Sequence, residues 1–224
     1  MRTRKEIKAI GKSAFKAMYW PCVGASFLGI ALSLIFSALL SAASEAESTS
    51  LSAIIYIANF LVAYNLVIGL NYFYVQRILG HEGITALTPF RAGFTNYGRK
   101  LGGCLWMGLF LFLWGLLLYI PGVIKFFSYA LTPYILADCP NVKARDALKL
   151  SMRIMKGKKG QLFGFYLSFI GWGLLSILTC GILTIFYVNP YLQSSMACWY
   201  LEAREDALRN GVITLGQLEG SEPV

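Results

Sequence analysis

Charge is what this sequence has least of. Only 14% of its 224 residues are Asp, Glu, Lys or Arg, against about a quarter in soluble domains, so water is excluded as the main solvent of its surface. Ligating residues are as scarce. There is one histidine, His81, and the five cysteines (Cys22, Cys104, Cys139, Cys180 and Cys198) stand singly with no Cys-x-x-Cys pair, which speaks against a metal centre or a disulfide framework. Gly-x-Ser-x-Gly, His-Glu-x-x-His and Walker spacings are all missing. Gly157-Lys158-Lys159-Gly160 has phosphate-binding residue types but not the Walker glycine spacing. No catalytic residue or cofactor is therefore nominated, and a non-enzymatic protein is expected.

What the sequence has in abundance is apolar length, with 57% hydrophobic residues. Runs of 18 or more apolar residues recur, the length a helix needs to cross about 30 Å of hydrocarbon. The runs are continuous rather than alternating, which points to helices rather than barrel strands. The fold class predicted is all-α and polytopic, with about six transmembrane helices in three hairpins. Apolar spans fall at 21–43, 52–76, 101–120, 122–137, 161–180 and 182–201. The first run is too long for the apolar region of a cleaved signal peptide and is read as an uncleaved first span. Turns are expected at 44–50, at Pro121-Gly122 and at Thr179-Cys180-Gly181.

The formal charge of +9 does not mark a nucleic-acid partner here, because the basic residues sit in short segments between apolar runs. They cluster in residues 1–20, near 77–100, near 138–160 and in the tail, 202–224; of all Lys and Arg, Lys125 alone is left for the opposite face. By the positive-inside rule both termini are predicted cytoplasmic, in a multi-pass protein of the plasma membrane. Two basic segments, the head and Val142 to Lys156, read as amphipathic helices lying flat at the headgroups. In the head, Ile7, Ile10, Ala14 and Met18 oppose Lys5, Lys8, Lys12 and Lys16; in the second, Ala144, Leu148, Ser151 and Met155 oppose Arg145, Lys149, Arg153 and Lys156.

Candidate functional residues follow from charge and polarity within this frame. Arg145, Lys149 and Arg153 repeat every four residues and Lys156 extends the row, a pattern that suits anionic headgroups as well as it suits a topology signal. Lys125, one turn past Pro121-Gly122, is read as an interfacial anchor or a contact to an anionic lipid. Asn65, Asn71, Thr132 and Asn189 lie within spans; they serve helix-to-helix hydrogen bonds or, in the alternative reading, line the polar path of a small transporter or channel subunit. A local pattern recurs at Gly69-Leu70-Asn71-Tyr72, Leu131-Thr132-Pro133-Tyr134 and Val188-Asn189-Pro190-Tyr191, as a hairpin repeated with a period of about 60 residues would give. The partners expected are membrane lipids with anionic headgroups, with a membrane protein or a second copy of the chain also open.

Pro121-Gly122-Val123-Ile124-Lys125, Tyr134 to Pro140, Ser151 to Lys159 and Leu167 to Trp172 together resemble a bacterial integral membrane family catalogued as a domain of unknown function, number nine-seven-five. The likeness is strongest from about Leu101 to Tyr200. The chain departs from the usual pattern at Cys139, where asparagine is common, and at Val123, where isoleucine is. The resemblance implies a multi-pass membrane protein and carries no activity onto particular residues.

Overall fold

A computed structural model describes residues 2–17, 19–81, 83–85, 87–117 and 119–224. Among them there is no strand. The helices are α1 (Arg4–Ala17), α2 (Tyr19–Glu45), α3 (Thr49–Ile78), α4 (Thr88–Phe94), α5 (Tyr97–Leu117), α6 (Tyr119–Tyr129), α7 (Thr132–Asp138), α8 (Ala144–Ile154), α9 (Lys159–Leu167), α10 (Ile170–Leu178), α11 (Asn189–Arg209) and α12 (Leu215–Glu219), with a π-helical stretch, Thr184–Val188, leading into α11. Three helical stretches, Tyr19–Glu45, Thr49–Ile78 and Lys159–Leu178, are long and apolar enough to cross a bilayer.

Burial is unevenly distributed along the long helices. In α3 the buried residues run from Asn65 to Val75, and in α2 Cys22, Val23, Ala25 and Ser26 lie inside near its start. Beyond these stretches Leu34, Ile35 and Leu39 of α2 and Ile54, Ile57 and Phe60 of α3 are exposed, as are Leu174, Ile177 and Leu178 of α10. So large a set of exposed aliphatic side chains would aggregate in water; hydrocarbon solvates it without cost, which agrees with a membrane protein. The core, built from Ile68, Tyr74, Ile135, Leu150, Phe165 and Trp199 among others, sits at the end of the bundle where the short basic helices gather.

Turns and helix breaks have local causes. Between α2 and α3 Glu47 adopts φ +51° and Ser48 caps α3 by accepting from the Leu51 amide. At the end of α10 Cys180 and Gly181 take φ +51° and +83°. α5 and α6 pack side by side, and a Cβ on Gly122 would stand 3.3 Å from the Gly115 Cα. Pro121 and Gly122 therefore lie in the first turn of α6, not in a loop between spans as the sequence implied. The expected span 122–137 is divided: α6 ends at Tyr129 and α7 begins at Thr132-Pro133, because proline lacks the N–H that would continue the hydrogen bonding of α6 and is accommodated in the first turn of a new helix. The stretch 161–180 is likewise parted into α9 and α10 at Ser168-Phe169. Pro190 stands at the start of α11, just after the π-helical winding.

A short repeat escaped the sequence reading. Leu87-Thr88-Pro89-Phe90 and Leu131-Thr132-Pro133-Tyr134 each start a seven-residue helix from a leucine of nearly the same geometry, φ −86° and ψ −10° at Leu87 and φ −89° and ψ −9° at Leu131. Both helices pack on α3. The first does so closely, since Gly69 lies against the Pro89 carbonyl and a Cβ on Gly93 would fall 2.6 Å from the Asn65 carbonyl oxygen.

The apolar faces of the two amphipathic helices pack against other helices. α1 is packed on α11 through Ile7, Gly11 and Phe15, and a Cβ on Gly11 would approach Ser195 Cα to 2.6 Å. Ile10 and Ala14 of the expected face are half-buried, and Met18 lies outside the described residues. α8 buries Ala147, Leu148, Leu150, Ser151 and Ile154, followed by Met155, against α5, α6, α7 and α11. Protein thus covers much of the apolar surface that the sequence assigned to the bilayer.

Candidate lipid-binding cleft

The basic face of α8 is built by helical period alone. Arg145, Lys149 and Arg153 follow one another at four-residue spacing and are exposed, while the opposite face is buried. Lys149 pairs with Asp146 at 3.3 Å, one turn back, and donates to the Val224 carbonyl at 3.2 Å. Lys156, two residues past the helix end, is also exposed.

Across from α8, α5 and α6 complete a cleft of about 760 Å³. Its wall is aromatic: Trp106, Phe110 and Trp114 come from α5 and Tyr129 from α6. Trp106 stacks on Phe110 at 5.8 Å between ring centres, and Phe110 meets Tyr129 at 6.5 Å. Cations stand over both indoles, Arg145 at 4.4 Å from the Trp106 ring and Lys125 at 4.7 Å from that of Trp114. The indoles are eight residues apart on α5, a rise of about 12 Å along that helix. Lys143 and Lys149 add charge at the Arg145 end, where Asp146 is the one carboxylate on the lining.

The structure brings Lys125 to the basic face of α8. The Ser151 hydroxyl donates to the Ser128 carbonyl at 2.8 Å, tying α8 to α6 within one turn of Lys125, and Lys125, Arg145 and Lys149 line one cleft. Arg153 and Lys156 are not on its lining. The aromatic wall was missed altogether, although Trp106, Phe110 and Trp114 recur at fourfold spacing, a helical face visible in the sequence.

The uncharged polar set does not line the cleft. Asn65 is buried and donates to the Leu61 carbonyl of its own helix at 2.7 Å, leaving its Oδ1 without a partner; Thr132 is buried with its hydroxyl unpartnered. Asn71 is buried further along α3, and Asn189 is half-buried at the start of α11.

Away from the cleft, ion pairs hold α1, α7, α11 and the segment after α8 together. The Asp138 carboxylate accepts from the Tyr200 hydroxyl at 2.9 Å and from Arg204. Lys158 meets Asp206 at 2.8 Å, and Arg2 meets Glu202 at 2.9 Å. Arg99 donates to the carbonyls of Leu136, Cys139 and Val142 at 2.6, 3.0 and 2.7 Å, closing the end of α7. Burial and then the Asp138 charge push the Cys139 thiol up to about 12, so it is no nucleophile at neutral pH.

Residues 116–207 match the family model described as Protein of unknown function (DUF975). The resemblance read from the sequence is borne out over this segment. No curated protein and no solved structure matches the chain. The DUF975 segment holds Lys125, Lys143, Arg145 and Lys149, while Trp106, Phe110 and Trp114 precede it. The cationic side of the cleft is therefore inside the family segment and most of its aromatic wall outside.

Proposed function

We propose that the chain is a multi-pass protein of the plasma membrane, with both termini cytoplasmic, that binds an anionic phospholipid in the cleft between α5, α6 and α8 and performs no chemistry on it. The observation that carries this reading is the pairing of Arg145 with Trp106 and of Lys125 with Trp114 along one groove. Such a groove offers an acyl chain an apolar wall and a phosphate a cluster of cations. Phosphate binds at the Arg145, Lys143 and Lys149 end, where charge is densest, and Lys125 makes the second contact. The six-span arrangement is part of the same proposal; it leaves the basic segments on one side, where anionic headgroups attract them.

Each basic residue near an anionic leaflet contributes about 1 kcal/mol. Removing three from the cleft should therefore weaken lipid retention by roughly two orders of magnitude. The test compares Lys125→Gln/Arg145→Gln/Lys149→Gln with Arg153→Gln/Lys156→Gln, each purified at equal detergent and salt. Phosphatidylglycerol and cardiolipin that remain bound are counted by mass spectrometry. The first variant should lose them and the second keep them; equal retention in both would leave the basic row as a topology signal.

A further inference from the structure

A second cavity of about 480 Å³ lies between the end of α3, α4, the start of α5 and the end of α7. It is separate from the lipid cleft. Its lining carries Arg91, Arg99 and Lys100, with Gln76 and Asn96 beside them, and one carboxylate, Asp138, which Arg204 and Tyr200 already hold. Among the described residues none of the three cations takes part in an ion pair. Lys100 is only 5% exposed and donates to the carbonyls of Ala92 and Gly93 at the end of α4. Arg99 does the same service for α7.

The carbonyls do not balance this charge. A helix C-terminus is equivalent to roughly half a negative charge, so the ends of α4 and α7 together offset about one of three positive charges. Burial, with Arg99 adding repulsion, pulls the Lys100 ammonium down to about 8, as expected for a cation short of counter-charge. Arg91 is exposed at the rim, and the side chains of Arg91, Gln76 and Asn96 make no hydrogen bond among the described residues. Exposed donors on Arg91 and Asn96 thus stand beside the buried Lys100 and the half-buried Arg99, an arrangement whose positive charge an anion would offset. The short connection through Thr95 and Asn96, the latter at φ +53°, brings Arg91 and Lys100 onto the same cavity.

We infer that this cavity binds a phosphate-bearing group, a phosphomonoester or diphosphate, with Arg91, Lys100, Gln76 and Asn96 as its contacts. The group is either free in solution or carried on a lipid. Two probes separate the sources: inorganic pyrophosphate titrated calorimetrically into the full chain in detergent, with sulfate at matched ionic strength as reference, and phosphatidic acid retained in nanodiscs, with phosphatidylcholine as reference. Pyrophosphate binding that weakens at least tenfold in Arg91→Gln and in Gln76→Ala, but not in Arg145→Gln, assigns a soluble group. Phosphatidic acid retention with the same dependence, without pyrophosphate binding, assigns a lipid one. The proposal is overturned if sulfate binds as well as pyrophosphate does, or if Arg91→Gln and Gln76→Ala leave both probes unchanged.

Discussion

Gly11 shows how much one side chain decides in this molecule. At this crossing of α1 and α11, Ser195 Cα would stand 2.6 Å from an added Cβ, and backbone cannot yield as the end of a flexible side chain can. Gly11→Val should lower stability by about 1–3 kcal/mol, as overpacking does, whereas Gly98→Ala, with nothing within 4 Å of its Cβ, should leave the thermal midpoint unchanged. Asp138 is the polar counterpart. Its side chain is 6% exposed beside a half-buried Arg204, so Asp138→Asn removes the charge partner of that guanidinium and should cost about 1–3 kcal/mol. The double variant Asp138→Asn/Arg204→Met should recover part of that loss. At acidic pH the relevant carboxylate is Asp206, held below its ordinary value first by its hydrogen bond to Lys158. A depressed carboxyl stabilises the fold above its unfolded value of about 3.8 and loses that contribution as pH falls through the native value. Asp206→Asn should therefore flatten the fall in thermal midpoint below pH 4.

At the scale of elements, α8 gives the sharpest contrast between amphipathic pattern and actual environment. Its periodicity satisfies equally a helix on lipid and a helix on protein, because both solvents are apolar. The two differ in what truncation costs. Leu150 is fully buried among other helices, so Leu150→Ala should leave a cavity and cost about 2–5 kcal/mol. Leu178, 80% exposed on α10, should tolerate Ala with almost no change in midpoint in detergent, since hydrocarbon fills the space. Similar losses at the two positions would mean that α8 does not pack as described. The proline-led helices α4 and α7 follow the opposite logic, in which a local signal suffices. Leu-Thr-Pro sets the same start twice, since proline lacks an N–H and its fixed φ suits the first turn of a helix, where no such donor is needed.

For the whole molecule, orientation in the bilayer is the property on which both proposed sites depend. Cys180 is the exposed native thiol among four buried ones and lies in the turn after α10, so it serves as its own reporter. An impermeant thiol reagent should label Cys180 from outside intact cells. In a Cys180→Ser background, Ala46→Cys should react from the same side and Lys156→Cys only after the membrane is opened. Labelling of Ala46→Cys and Lys156→Cys from one side would remove the six-span topology.

Class and helix content were legible in the sequence, because apolar length answers to the thickness of hydrocarbon, as were the turns at 44–50 and at Cys180-Gly181; the breaks at Ala130-Leu131 and Ser168-Phe169 were not. The DUF975 segment was legible from short local motifs. The cleft was legible only by halves. Arg145 and Lys149 could be read from helical period, but nothing in the sequence joined Lys125 to them in one cleft. Its approach to α8 depends on the Ser151 to Ser128 contact and on α6 ending at Tyr129, neither of which has a local signature. The destination of the apolar faces of α1 and α8 was beyond the sequence for a deeper reason. Lipid and protein interior reward the same side chains, so only the meeting of distant segments, Gly11 with Ser195 and Ala144 with Gly102, decides which of the two a helix faces.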